Sequence, residues 1–329
     1  MSDHYDVYLN FKKKIDDILF NLIDRKTPVT LYEPLQYLLS SGGKRIRPMM
    51  VMFACEASGE DPEKSVNAAV AMELLHNFTL VHDDIMDNAD TRRGFQTIHK
   101  KWNENVAILT GDHLIGLAYK YLFKTDTLRL KETADEFTGG IIEVCEGQSF
   151  DKEFEERDIV SLDEYMMMIN KKTAKMLEIS AAIGALTGNA GKDLLNNLKN
   201  FALNTGLAFQ IQDDLLDITA DESELGKKIG GDILERKKTF LLIKANETVS
   251  DKSDRELIME IIKSPELNIS DEIILQVKDI YIKHGITEAA KSEIEKFTNK
   301  ADDYLSNICN KISGERLKWF SAMLMERKF

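Results

Sequence analysis

Six aspartates fall in two matching groups, Asp83, Asp84 and Asp87 in the stretch DDIMD and Asp213, Asp214 and Asp217 in DDLLD. On a helix that advances about 100° per residue, positions i, i+1 and i+4 lie at about 0°, 100° and 40°, so each triad shares one face. Taken alone, such a face is most simply a solvated acidic one. Its setting argues otherwise. Both triads follow apolar helical runs, LLHNFTLVH and FALNTGLAFQIQ, and both enclose apolar pairs, Ile85-Met86 and Leu215-Leu216. Carboxylates clustered beside apolar surface repel one another and lose hydration, a cost that cations offset. Oxygen ligands without His or Cys suit Mg²⁺, which keeps waters and shares its shell with phosphate oxygens.

A phosphate-bearing ligand also needs positive charge from the protein. The loop Gly42-Gly43-Lys44-Arg45-Ile46-Arg47-Pro48 sets three cations beside two glycines that let backbone approach an anion closely. Arg92-Arg93-Gly94 follows the first triad, near enough for metal and arginine to hold one diphosphate. Lys171-Lys172-Thr173 forms a third cluster, and Gly226-Lys227-Lys228-Ile229-Gly230-Gly231-Asp232 with Arg236-Lys237-Lys238 forms a fourth. Each alone also fits a helix cap, an ion pair or a solvated face. Four of them beside two carboxylate triads point jointly to an anionic substrate.

The elements that must position these groups read as helices. Prolines stand only at 28, 34, 48, 62 and 265, so none interrupts Glu63 to Ser264. Val66 to Val81, Phe201 to Ile218 and Ile273 to Ile282 keep apolar residues at three-to-four spacing, and no long run alternates as a half-buried strand would. Loops are predicted at Ser40 to Lys44, Gly59 to Pro62, Arg92 to Gly94, Thr187 to Gly191, Asp221 to Gly231 and Lys263 to Ser270. With no low-complexity tract and no repeat, the 329 residues are expected to form one all-α domain, residues 1–329, of many long helices.

Composition narrows the partners. Forty-three Lys and Arg against 56 Asp and Glu leave a charge of −13, which repels a nucleic-acid backbone. Cys55, Cys145 and Cys309 are too scattered for a disulfide framework or a zinc site, and no stretch approaches a spanning helix. The opening residues have the wrong order for a secretory leader, so a cytoplasmic setting is expected.

In order, GGKRIRP, HNFTLVHDDIMDNADTRRG, NKKTA, FQIQDDLLD and GKKIGGD resemble the motifs of the trans-isoprenyl diphosphate synthases, over about Leu38 to Lys238. The resemblance implies an all-α isoprenoid synthase fold around a deep central cavity, a homodimer, and Mg²⁺-dependent condensation of an allylic diphosphate with isopentenyl diphosphate. It implies that the two aspartate triads hold Mg²⁺, three ions with substrate bound, against the allylic diphosphate, which Arg92, Lys172 and Lys227 also contact. Lys228 remains an alternative to Lys227. Lys44, Arg47, His76 and Arg93 match the isopentenyl diphosphate positions. Thr173, Gln210 and carbonyls beside Lys172 fit the role of lone pairs facing an allylic cation, and released diphosphate that of the final base. Closure of the 221 to 231 loop would exclude water.

Product length should depend on residues four and five before Asp83, namely Thr79 and Phe78. In the family one aromatic at the farther position goes with C20 products and paired aromatics with C15. Geranylgeranyl diphosphate is therefore expected, with farnesyl diphosphate as the alternative, unless Leu114 or Tyr119 of the next helix floors the cavity. A class I terpene cyclase usually carries a second metal motif mixing Asn, Ser or Thr with Glu, and a regulatory subunit would be expected to lose a motif; here both triads are intact. His82, beside Asp83, is expected to pack.

Overall fold

Apolar residues at three-to-four spacing over proline-free stretches can bury a continuous stripe only as helices. The computed structural model describes residues 2–219, 230–264, 266–306, 308 and 311–326, and they are almost wholly helical. The helices run α1 Ser2–Phe20, α2 Val29–Ser40, α3 Ile46–Ala57, α4 Val66–Met86, α5 Ile98–Lys101, α6 Glu104–Leu122, α7 Leu130–Glu156, α8 Leu162–Ile169, α9 Lys175–Thr187 and α10 Lys192–Thr219. After these come α11 Gly231–Leu234, α12 Phe240–Thr248, α13 Lys252–Lys263, α14 Asp271–Lys283, α15 Ile286–Leu305 and α16 Lys311–Glu326.

Two apolar clusters hold them. One joins α1 to α4, α6, α7, α9 and α16; the other joins α8 and α11 to α15. Helix α10 belongs to both, giving Leu198, Phe201 and Ala202 to the first and Leu207, Ile211 and Leu215 to the second. Helices α3 and α9 are buried nearly all round and approach closely because Gly184 lacks a side chain: a Cβ there would lie 2.1 Å from the Val51 carbonyl oxygen.

The loop expected around Arg92 to Gly94 is instead the turn of a small antiparallel ribbon, Thr91–Arg92 with Phe95–Gln96. Each strand has two residues, too few for alternation to show in the sequence. Arg93 and Gly94 take φ of 53° and 78°, and Thr97 donates its hydroxyl to the Ala89 carbonyl at 2.7 Å, so the chain that leaves α4 turns back onto it. Of the expected 221 to 231 loop only Gly230 and Gly231 are described, so Lys227 and Lys228 lie outside the described residues.

Candidate active site

Both aspartate triads sit at the C-terminal ends of long helices, α4 and α10, whose last turns carry no basic residue. The helix dipole makes that the least favourable end for carboxylates, so their placement implies compensating cations. A cavity of about 930 Å³ opens between them, and Asp83 and Asp213 both line it.

The glycine-rich loop forms one wall. Gly42 and Gly43 take φ of 73° and 149°, and Arg45 takes the left-handed region at φ 53°. Arg45 is 3% exposed and pairs with Glu73 at 2.6 Å and Asp16 at 2.7 Å, while the Tyr8 hydroxyl donates to the Lys44 carbonyl at 2.9 Å. Helix α1 thus braces the loop from behind, and Lys44 and Arg47 line the cavity. Burial lowers the Arg47 guanidinium to about 10, and its Nε has no hydrogen-bond partner. His76 lines the same wall; burial, then Arg47 and Arg93, holds its imidazole well below 6.5, so it is neutral.

The ribbon supplies the second wall. Arg93 donates to the Gly42 carbonyl and packs on Gly43, where a Cβ would lie 2.8 Å from its Nη1. Burial lowers its ordinary pKa. Arg92 donates from Nε to Asp84 Oδ1 at 2.6 Å. Asp83 faces the cavity, its carboxyl raised by burial against the pull of Lys172, whereas Asp84 is 6% exposed and Asp87 pairs with Lys152 at 2.5 Å.

Opposite, the segment Asn170–Ala174 winds as a single π turn between α8 and α9, a widened geometry that recurs at functional sites. It turns Lys171 outward to Glu143 and Glu146 and Lys172 inward, where it pairs with Asp151 at 2.5 Å. Thr173 donates to Gln210 Oε1 at 2.8 Å, which leaves the threonine oxygen's lone pairs to the cavity. Gln210 Nε2 donates to Asp214 Oδ1 at 3.0 Å, and Asp214 Oδ2 accepts from the Tyr165 hydroxyl at 2.5 Å and the Phe240 amide at 3.2 Å. Burial still pushes the Asp214 carboxyl up to about 6. Asp217 is buried and accepts from the Asp232 amide at 3.0 Å. Arg236 donates to the Ile261 and Leu267 carbonyls.

Of the residues singled out in the sequence, Lys44, Arg47, His76, Phe78, Thr79, Asp83, Arg92, Arg93, Lys172, Thr173, Gln210 and Asp213 line the one cavity; Asp84, Asp87, Asp214 and Asp217 stand behind it. Leu114 is fully buried and Tyr119 hydrogen-bonds Thr138, and neither reaches the cavity. Helix α7 adds Cys145, Gln148, Ser149 and Lys152, which the sequence did not bring out. A signal was present: glycine inside a long helix costs roughly 0.5–1 kcal/mol against alanine, and Gly147 exists for close approach, since a Cβ there would lie 2.3 Å from the Lys172 amide nitrogen. Gly206 of α10 closes on the other side, 2.6 Å from Ala174 Cα by the same measure.

Among the described residues no helix is long and apolar enough to cross a membrane. The sequence profile of the polyprenyl synthetase family matches residues 28–277. A short chain isoprenyl diphosphate synthase of Methanothermobacter thermautotrophicus is 35% identical, covering all of both chains. A geranylgeranyl diphosphate synthase of Sulfolobus acidocaldarius is 37% identical over 99% of each. The crystal structure of geranylgeranyl pyrophosphate synthetase from Pyrococcus horikoshii Ot3 superposes with a TM-score of 0.90 at 34% identity, covering 99% of this chain and 100% of that one. The ordered motifs, the isoprenoid synthase fold and these full-length likenesses agree: the chain belongs to the polyprenyl synthetase family and is a trans-isoprenyl diphosphate synthase, a prenyltransferase.

Proposed function

We propose that the protein condenses an allylic diphosphate with isopentenyl diphosphate, head to tail, and releases C20 geranylgeranyl diphosphate. The observation that carries this reading is a single cavity with cations and a neutral imidazole on one side, carboxylates and further cations on the other, and Phe78 and Thr79 below. The names borne by full-length relatives support the C20 product.

The donor set fits Mg²⁺. Among the described residues no three His, Cys, Asp or Glu side chains form a ready-made metal cage. One or two carboxylates completed by phosphate oxygens is the arrangement Mg²⁺ favours. Asp83 and Asp213 are the nearest candidates, with Asp84, Asp87, Asp214 and Asp217 behind them. Bound Mg²⁺ would supply charge stabilisation to the departing diphosphate. Arg92, Lys172 and Lys227 would add hydrogen bonds to the same group. Lys44, Arg47, Arg93 and His76 would hold the second diphosphate and aim its double bond. Thr173, with its proton committed to Gln210, would turn oxygen lone pairs towards the allylic cation. Released diphosphate, left beside the new cation, takes the final proton.

Incubation of purified protein with Mg²⁺, isopentenyl diphosphate and each of the C5, C10 and C15 allylic starters tests the reading. The expected product is C20 from all three, abolished by chelation; a C15 end point would replace it with farnesyl diphosphate synthesis. A cyclised hydrocarbon from farnesyl diphosphate alone would overturn prenyl transfer. The assembly belongs to the same proposal: Ile108 and Leu109 of α6 are 43% and 60% exposed, an apolar edge that a second copy of the chain would cover.

A further inference from the structure

The cavity ends towards α6 on two rings. Phe78 and His82 stand one turn apart on α4, and both line the cavity. Their ring centroids are 4.7 Å apart, edge to face. Behind the imidazole lies Gly111 of α6, where a Cβ would meet His82 Nε2 at 2.2 Å and Cδ2 at 2.5 Å. The histidine ring therefore occupies the space that any other residue at position 111 would claim. Gly116, on the same helix, has nothing within 4 Å of such a Cβ, so the close approach belongs to position 111 and not to the helix as a whole. Among the described residues none of those lining the cavity comes from α6; Phe78 and His82 close it off.

A chain growing from a diphosphate held at Asp83 runs down α4 towards Phe78, five residues and about 7.5 Å of helix rise away. Phe78 backs onto His82, and His82 backs onto the α6 backbone at Gly111. We propose that His82, seated on Gly111, is a specificity-determining residue that sets product length together with Phe78. The imidazole is the outer leaf of a two-ring wall, and the missing side chain at Gly111 fixes how far that leaf stands back. This rests on the prenyl-elongation reading above. Removing the imidazole vacates room for Phe78 to swing outward, lengthening the product. A methyl group at position 111 drives the imidazole onto Phe78, because a side-chain ring yields before a helix backbone does.

The test is the chain-length distribution from purified full-length protein with Mg²⁺, excess isopentenyl diphosphate and the C10 or C15 starter. With wild type stopping at C20, His82→Ala is expected to make C25 and longer species its main products, and Gly111→Ala to accumulate C15 from the C10 starter. In the double variant the shortening disappears, since the ring that the methyl would push is gone. Gly116→Ala keeps the wild-type distribution. An unmoved C20 ceiling in His82→Ala overturns the proposal, as does shortening that persists in the double variant or occurs equally in Gly116→Ala. Should Gly111→Ala not fold, the His82→Ala ceiling decides alone. Wild-type protein that condenses neither starter would overturn the elongation reading itself; active wild type with an unmoved ceiling in the variant overturns only the two-ring wall.

Discussion

The first aspartate of each triad lines the cavity, and the second is buried and held by the protein. Asp84 accepts from Arg92, and Asp214 from Tyr165, Gln210 and the Phe240 amide. The spacing made all six legible, because metal and phosphate chemistry demands carboxylates on one helix face. It did not separate their roles, because a step of about 100° turns the second aspartate off the axis of the other two. Only the packing of α8 and α12 against α10 shows which oxygens are engaged. His76 offers a test at this scale. Burial and the surrounding arginines hold it well below 6.5 in the folded chain. Between that folded value and 6.5 the unfolded chain binds a proton that the folded chain does not, so stability rises with pH through the window and levels off above it. His76→Gln should flatten the rise in thermal midpoint between about pH 5 and 6.5 relative to wild type. Parallel curves for the two proteins would show that His76 titrates normally.

The π turn at Asn170–Ala174 carries the chemistry of its element. Helix periodicity made α4, α10 and α14 readable, but nothing in NKKTA marks one widened turn, and the ribbon at Thr91–Gln96 is too short to show a strand pattern. What makes the turn specific is its clamp between Gly147 and Gly206. Gly147→Ala must push the Lys172 backbone aside, moving both the ammonium and the Thr173 hydroxyl. A misplacement of about 1 Å at a reacting centre can cost roughly 10²-fold in rate, so kcat should fall by about that factor. KM for isopentenyl diphosphate should change little, since Lys44 and Arg47 stand on another wall. Gly139→Ala, on the same helix with nothing within 4 Å, is the matched control. Equal losses in the two variants would assign the effect to α7 as a whole.

At the scale of the molecule, the fold was legible as all-α because no proline interrupts about three fifths of the chain, whereas the convergence of four separated motifs on one cavity is a matter of tertiary packing that no local pattern contains. The exposed edge of α6 predicts the assembly. Sedimentation should give about twice the 37.4 kDa chain mass, and Leu109→Glu should shift it towards one chain; an unshifted monomer in wild type would remove the second copy. The cavity's own charges govern what enters it. Arg92 is paired with Asp84, Lys152 with Asp87 and Lys172 with Asp151, so groups suited to a phosphate and groups suited to a metal already neutralise one another. At these three pairs an incoming cation has to displace a lysine or arginine, and an incoming anion a carboxylate. Arriving together, the two would exchange partners at these pairs, the metal taking the carboxylates and the phosphate the freed lysine and arginine groups. Each would then strengthen the other's binding by one and the same factor, and the site would act as a coincidence detector, admitting the metal–diphosphate complex in preference to either of its parts.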